Sequence, residues 1–298
     1  MWFKNLRVFR LQPQWQPQAA ELESALEDQA FQPAGSQDMQ AAGWVPPAPH
    51  TGLVHALNGQ LLLKLRIEKK LLPATVVNQF VNRRAQDIED EQGWRPGRRQ
   101  LKEIKEQVTT ELLPKAFSIA RDTAVWIDTR HHWLIVDAAA VAPADSVMHL
   151  LSKVLQPFPV MPWSLTHSPA STMTGWLLDG PATAPFTIDQ DAELRATDDS
   201  RATVRFVRHS IDEDDVKRHI DAGKRCTRLG LTWADRVSFV LTDALEIKRL
   251  TPLDILTDNL DQQADDAAEQ FDADFTLMAS EVSNMLSDLS DALGGEQV

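Results

Sequence analysis

Apolar positions along the chain follow the two periods that strands and helices require, so we expect a fold that contains both. Alternating or continuous apolar segments predict strands over residues 3–11, 53–57, 61–67, 123–128, 133–138, 202–208, 229–233, 237–242 and 245–250. Apolar residues three and four positions apart predict helices over residues 18–30, 74–91, 96–112, 143–155, 212–222 and 265–293. Asn58-Gly59 joins the second and third strands and is the strongest hairpin signal in the chain.

The order of these elements indicates an α+β fold, because hairpins, separate helices and a late run of strands replace the strict alternation of an α/β protein. We expect several subdomains built from antiparallel hairpins and long helices. Their approximate ranges are 1–155 for an N-terminal α+β region with basic helices at about 74–113, 156–185 for a Pro-rich linker or rim, 186–250 for a second α+β region and 251–298 for an acidic helical segment. Gly and Pro residues predict a loop over 35–47.

The last predicted helix has one continuous apolar stripe. Its members recur at spacings of four and three: Phe271, Phe275, Met278, Val282, Met285, Leu289 and Leu293. A stripe of this length must be buried, either in this chain or in a partner.

Composition narrows the class of protein. The 298 residues are 43% hydrophobic and 24% charged, which excludes a disordered or collagen-like chain. No run of about 18 apolar residues predicts a membrane span, and the first residues lack the pattern of a secretion signal. The single cysteine, Cys226, excludes an internal disulfide and a four-cysteine zinc site, so we expect a protein of the reducing cytoplasm. We place most tryptophans, including Trp44, Trp126 and Trp133, in the core.

Charge is distributed unevenly along the chain. The net charge is −13, but residues 251–298 contain twelve Asp and Glu and no Lys or Arg, which leaves the preceding residues close to neutral. Two neighbourhoods are basic: residues 64–121 have a net charge of +5, and residues 217–228 have a net charge of +4. An acidic total therefore does not exclude an anionic partner.

No motif predicts catalysis. The chain has neither a Gly-x-Ser-x-Gly elbow nor a His-Glu-x-x-His helix. His131 and His132 are adjacent, so on a strand they would face opposite sides, and we interpret them as a polar hairpin tip. Cys226 has basic neighbours that would lower its pKa, but without a second cysteine we favour a half-buried strand thiol. We predict a protein that is not an enzyme and uses no cofactor or metal.

The basic residues favour DNA binding. Arg95, Arg98, Arg99, Lys102 and Lys105 supply cations over about two helical turns, a spacing suited to phosphates. We predict that DNA is contacted by Arg66, Lys69, Lys70, Arg83, Arg84, Arg95, Arg98, Arg99, Lys102, Lys105, Lys115, Arg121, Lys217, Arg218 and Lys224. The alternative is an ordinary solvated helix face on which neighbouring glutamates balance these cations.

Several short blocks of sequence indicate a family. They are Trp2-Phe3-Lys4-Asn5-Leu6, Gly35-Ser36-Gln37-Asp38-Met39, Gly43-Trp44-Val45-Pro46-Pro47, Leu112-Leu113-Pro114-Lys115-Ala116-Phe117, Trp126-Ile127-Asp128, Gln270-Phe271-Asp272-Ala273-Asp274-Phe275 and the terminal Gly294-Gly295-Glu296. On these blocks, which lie in the right order over nearly the whole length, the chain resembles the bacterial recombination-associated RdgC family.

The resemblance implies a non-enzymatic protein that binds DNA with little sequence preference and restrains RecA-promoted recombination by occupying the DNA. It also implies a ring-shaped homodimer with a positively charged central hole, while the acidic C-terminal segment faces solvent. By position, Phe117 falls at one dimer contact, and Arg208 and His209 fall at the other, where the family has Lys-Gln. The implied partners are double-stranded DNA, with single-stranded DNA as a second candidate, and a second copy of the chain, in the cytoplasm at the nucleoid and without a membrane.

A second hypothesis comes from a different class of protein. The acidic C-terminal helix with its apolar stripe is also typical of a protein-interaction module, whose target would be RecA or another recombination protein. In that case the stripe would be covered by the partner and not by this chain.

Overall fold

One antiparallel sheet organises the molecule. The computed structural model describes residues 2–180, 185–208, 212–257 and 267–297. The strands in these ranges are β1 Leu6–Leu11, β2 Gln40–Val45, β3 His55–Leu57, β4 Gln60–Lys70, β5 Ser118–Asp128, β6 Trp133–Asp137, β7 Val160–Pro162, β8 Phe186–Ala196, β9 Thr203–Phe206, β10 Lys224–Trp233, β11 Val237–Thr242 and β12 Ile247–Pro252. They pair in the order β2-β4-β5-β6-β1-β12-β11-β10-β8-β9, with β3 on β4 and β7 on β1.

The described ranges contain eight α-helices, and six of them pack on the two faces of this sheet. The eight helices are α1 Ala19–Glu27, α2 Ala74–Gln92, α3 Arg98–Leu112, α4 Val141–Val154, α5 Pro169–Asp179, α6 Glu213–Asp221, α7 Asp254–Thr257 and α8 Ala267–Ala292. The predicted α+β class is confirmed, as is the hairpin at Asn58-Gly59, which joins β3 to β4.

The predicted loop over residues 35–47 is wrong for its second half. Residues 40–45 form β2, which pairs with β4 along its whole length. The prediction interpreted Gly43 as a turn residue, but glycine is needed here because two backbone segments approach each other closely. A Cβ at this position would collide with the backbone of Ala30 and Phe31. The Pro-rich range 156–185 also contains regular structure, since β7 and the core helix α5 lie within it.

The middle of the sheet is buried on both faces. On β4, Leu61, Leu63 and Leu65 belong to the core beneath α1 and α4, whereas Leu62 belongs to the larger core beneath α5 and α8. Successive strand residues point to opposite faces, so a strand covered on both sides needs an unbroken apolar run. The run of leucines in β4 is the sequence signal of this double burial.

Helix α8 is part of the larger core. The stripe from Phe275 to Leu289 is almost fully buried against the sheet of the same chain. Polar residues also connect the helix to the sheet: Glu281 accepts two hydrogen bonds from Arg236, at 2.5 and 2.7 Å, and Asp288 accepts one from Trp233 Nε1 at 2.7 Å. The apolar stripe of this acidic helix is therefore covered by its own chain, while acidic residues such as Asp291 are exposed on its other side.

The thiol of Cys226 is buried more completely than the half-buried strand position that we predicted. It is fully buried on β10, and burial raises the pKa of the thiol to about 12. Because the thiolate is the reactive form, only about one molecule in ten thousand is reactive at pH 8. We expect iodoacetamide to leave the native protein unlabelled at pH 8 and to label one thiol per chain in 6 M guanidinium chloride. Rapid labelling of the native protein would contradict this burial.

Candidate nucleic-acid interface

A helical hairpin projects from one end of the sheet. Lys70, the last residue of β4, lies opposite Ser118, the first residue of β5, and residues 71–117 between them form the projection, here named the helical arm. Helices α2 and α3 pack against each other around Val77, Val81, Ile104 and Val108, a small core that is separate from the two cores of the sheet. The arm therefore presents its outer faces to solvent.

The tip of the arm is basic and carries an exposed aromatic ring. Gly93 ends α2 with a φ of +80°, a left-handed conformation that favours glycine. Trp94, which follows it, is 67% exposed, and the basic residues Arg95, Arg98 and Arg99 lie directly after it. Of the tryptophans, Trp44, Trp126 and Trp133 are buried as predicted. Trp94 was missed as a surface residue, although its glycine and proline neighbours mark a turn.

The charge of the arm is positive only locally. The whole arm has eight Lys and Arg against seven Asp and Glu, but residues 93–105 contain five cations and only Glu103 as an anion. Arg99 pairs with Glu103 at 3.2 Å and Lys102 with Glu106 at 3.8 Å. Such exposed pairs are worth at most about 1 kcal/mol, so they leave both cations available to a stronger anion. The tip and the first half of α3 thus form an electropositive surface.

Not every predicted contact residue on the arm and its base is available. Arg66 is bound to Asp122 by two hydrogen bonds of 2.7 Å, whereas Arg84 forms an exposed pair with Glu111 at 2.6 Å that, like the pairs of Arg99 and Lys102, leaves it available. Lys70 is 8% exposed, and its Nζ donates to the carbonyl oxygens of Ser36 and Leu113 at 2.8 and 3.2 Å. Lys70 is thus a structural residue that anchors the base of the arm, and it cannot reach a phosphate.

Several predicted contact residues remain free cations. They are exposed and form no ion pair with any residue in the described ranges: Lys69, Arg83, Arg95, Arg98, Lys105, Lys115, Arg121 and Lys217. All of them except Lys217 lie on the helical arm or at its base.

The second basic group lies far from the first within one chain. Lys217 and Arg218 are on α6, and Lys224 begins β10. Four strands separate β5 from β10 in the sheet, a spacing of roughly 24 Å. Arg218 forms an ion pair with Asp215, and the half-buried Lys224 lies 3.4 Å from His219 Nδ1. One chain therefore does not join the two groups into one surface.

The two predicted dimer contacts also lie at opposite ends of the sheet. Phe117, at the base of the arm, is 84% exposed and lies beside the exposed Leu71 and Ile119. Arg208 follows the edge strand β9, and its backbone N–H donates to Asp191 Oδ1 at 3.0 Å. His209 lies outside the described residues. The Phe117 patch is the kind of exposed apolar surface that marks a protein contact.

Other kinds of site are not evident in the described ranges. Within residues 2–180, 185–208, 212–257 and 267–297, no three His, Cys, Asp or Glu side chains are grouped to hold a metal ion. No helix in those ranges is long and apolar enough to cross a membrane.

Comparison with known proteins shows the family. Residues 1–296 match the RdgC family model, whose description is "Putative exonuclease, RdgC". The chain belongs to the RdgC family. It is 56% identical over 297 residues to the recombination-associated protein RdgC of Bordetella parapertussis, with 100% of this chain and 99% of the relative covered. The RdgC proteins of Cupriavidus necator and Burkholderia ambifaria are 54% and 52% identical over 297 residues, covering all of this chain and 99% and 97% of the relatives.

Proposed function

We propose that this member of the RdgC family binds DNA without sequence preference, as a ring-shaped homodimer, and restrains RecA-promoted recombination without catalysing a reaction. The observation that carries the proposal is the helical arm, whose tip and α3 face hold five exposed cations within a short, projecting element. Cations in this arrangement neutralise phosphates irrespective of the bases.

A ring is supported by the positions of the two predicted dimer contacts. The Phe117 patch and Arg208 lie at opposite ends of one long sheet. In a twofold dimer each patch meets its own copy, so two separate patches produce two contacts and enclose a space between the sheets. Such an arrangement brings basic groups from both chains towards one hole, which a single chain does not do.

Restraint of recombination follows from occupancy. The relatives are named recombination-associated proteins, and a protein that covers DNA of any sequence denies that DNA to a RecA filament. A protein-interaction module built on α8 is less well supported, because the apolar stripe of that helix is buried against its own chain.

Salt-dependent binding to duplex DNA tests the proposal. We expect two unrelated 30-base-pair duplexes to bind with equal affinity in fluorescence anisotropy, with a log-log salt slope of about −5 for five or six phosphate contacts. Binding of only one duplex, or of neither at low salt, would contradict the proposal. Release of mononucleotides from either duplex by the purified protein would contradict the absence of catalysis.

The dimer contact at Phe117 can be tested separately. Replacing Phe117 with Asp is expected to weaken dimerisation by about 100-fold or more, because each buried phenyl contributes roughly 1.5–3 kcal/mol and the change enters twice in a twofold dimer. Sedimentation equilibrium measures the change in the dimer dissociation constant. Ile255→Asp, at another exposed apolar position, is the matched control. Equal dimerisation of both variants would place the contact elsewhere.

A further inference from the structure

A polar cleft lies at the end of the sheet away from the helical arm. It is bounded by Asn58 in the β3–β4 turn, by Arg130 and His131 in the β5–β6 turn, and by one face of α8. Its volume is about 380 Å³, and Leu57 and Phe275 supply an apolar part of its wall. Strand β5 runs from the arm to this cleft, a distance of roughly 34 Å for its length. The cleft is therefore a different site from the candidate DNA surface.

A buried carboxylate organises the wall of the cleft. Asp128 is fully buried, and its Oδ2 accepts hydrogen bonds from Ser283 Oγ at 2.5 Å and from His131 Nδ1 at 2.7 Å. Its Oδ1 accepts the backbone N–H groups of Arg130 and His131 at 2.9 and 3.1 Å. Burial by itself would raise the pKa of this carboxyl, but the hydrogen bonds from Ser283 and His131 outweigh it and the pKa is lowered.

An ionised Asp128 fixes the orientation and tautomer of His131. A carboxylate only accepts hydrogen bonds, so Nδ1 of His131 must carry the proton that is shared with Asp128. The imidazole is half exposed on its other side, and Nε2 has no partner among the residues that the structure describes. This arrangement, in which a buried carboxylate orients a histidine, leaves one ring nitrogen free for a ligand.

The lining of the cleft is positive and otherwise uncharged. Arg130 supplies the positive charge, no acidic residue lines the cleft, and the carboxylate of Asp128 lies behind His131 and Ser283. Although α8 is an acidic helix, the row that faces the cleft is Thr276, Ser280 and Asn284. Among the described residues, the side chains of Arg130, Ser280 and Asn284 have no hydrogen-bond or ion-pair partner, so the cleft holds several unused donors.

We propose that this cleft binds a phosphomonoester, such as the 5′-phosphate of a nucleotide or of a DNA strand end. The guanidinium of Arg130 presents two parallel N–H groups to phosphate oxygens, and the free Nε2 of His131 accepts a hydrogen bond from the P–OH group of a phosphate monoanion beside them. Ser280 and Asn284 provide hydrogen bonds to the attached group, and Leu57 and Phe275 provide an apolar surface for a sugar or base. The volume is that of a pocket for a small ligand.

Calorimetric titration of the full-length protein tests this proposal. The ligands are inorganic phosphate, dAMP, deoxyadenosine, and a ten-nucleotide strand with either a 5′-phosphate or a 5′-hydroxyl. We expect dAMP or the phosphorylated strand to bind at least tenfold more tightly than its counterpart without phosphate. A tenfold gain from the phosphate with dAMP but not with the strand supports a free nucleotide as the ligand, and a tenfold gain from the 5′-phosphate with the strand supports a DNA end.

Two variants test whether the phosphate ligand binds in the cleft. Arg130→Gln removes the fork of donors, and Asn284→Asp places a negative charge on an exposed position of the same wall; each is expected to weaken binding at least tenfold. Lys153→Gln, on α4 and outside the cleft, is the matched control and is expected to bind as the unaltered protein does. Equal thermal unfolding of all variants excludes a folding defect. Binding that is independent of phosphate, or unchanged in both cleft variants, would overturn the proposal.

Discussion

Replacing Leu289 with alanine is expected to destabilise the protein by about 3–5 kcal/mol. Leu289 is fully buried in the larger core, where α8 packs on the sheet with Met285 and Leu286 beside it. Shortening a buried leucine removes its transfer free energy and leaves a cavity that the surrounding side chains fill only in part. A loss of this size is a large fraction of the 5–15 kcal/mol that stabilises an ordinary domain.

Urea denaturation measures this loss as a shift of the unfolding midpoint. Ser287→Ala is the matched control, because Ser287 is exposed on the same helix and alanine is a strong helix former. The control is expected to change the free energy of unfolding by less than about 0.5 kcal/mol. If Leu289→Ala changed the free energy of unfolding by less than about 1 kcal/mol, α8 would not be docked on its own chain. The hypothesis that this helix binds a protein partner would then be favoured.

Reversing Arg98, Arg99 and Lys102 to Glu is expected to weaken binding to every duplex by on the order of 10²–10³-fold at 0.1 M salt. The two arms of a dimer carry six of these residues, of which we expect three to contact phosphates at one time. Each phosphate contact releases about 0.9 of a counterion, so the loss of three contacts at this salt concentration removes nearly three powers of ten in affinity. The three residues are exposed on the first turns of α3, and their removal leaves the small core of the arm intact.

The salt slope of this variant distinguishes a lost contact from a general change of charge. We expect the slope to become less steep by about three, and equally for unrelated sequences. The matched control reverses Lys4, Lys153 and Arg201 to Glu, which are exposed cations outside the arm, so that both variants have the same net charge. Equal weakening in both would show that total charge governs binding, and unchanged binding in the arm variant would remove α3 from the interface.

Most helices and strands were predictable from local sequence patterns, because residues close together in the sequence are enough to determine them. Three features depend only on residues that are near one another in the sequence: the Asn58-Gly59 turn, the apolar stripe of α3 and the apolar runs of the central strands. Strand β2 was predicted as a loop because Gly43 has two opposite uses, a turn or a close approach of two backbones, and only the position of Phe31 in the fold shows which one applies.

The candidate sites were less predictable than the elements. Lys69 and Lys70 are adjacent and chemically identical, yet Lys69 is exposed while Lys70 donates to two carbonyl oxygens beneath the arm. Strand alternation alone says that they face opposite sides, but it does not say which side is covered. The cleft was not predicted at all, since its walls come from residues 57–60, 130–131 and 275–284.

The sequence by itself determined the α+β class, the family and the presence of a basic hairpin of helices. Each of these depends only on short-range periodicity or on contiguous blocks of residues. The tertiary structure alone decided that α8 completes the core of its own chain, that Lys70 is an internal anchor, and that Asp128 orients His131 beside a cleft. The physical reason is that a pattern shows which face of an element must be covered, whereas the identity of the cover depends on contacts between residues far apart in the chain.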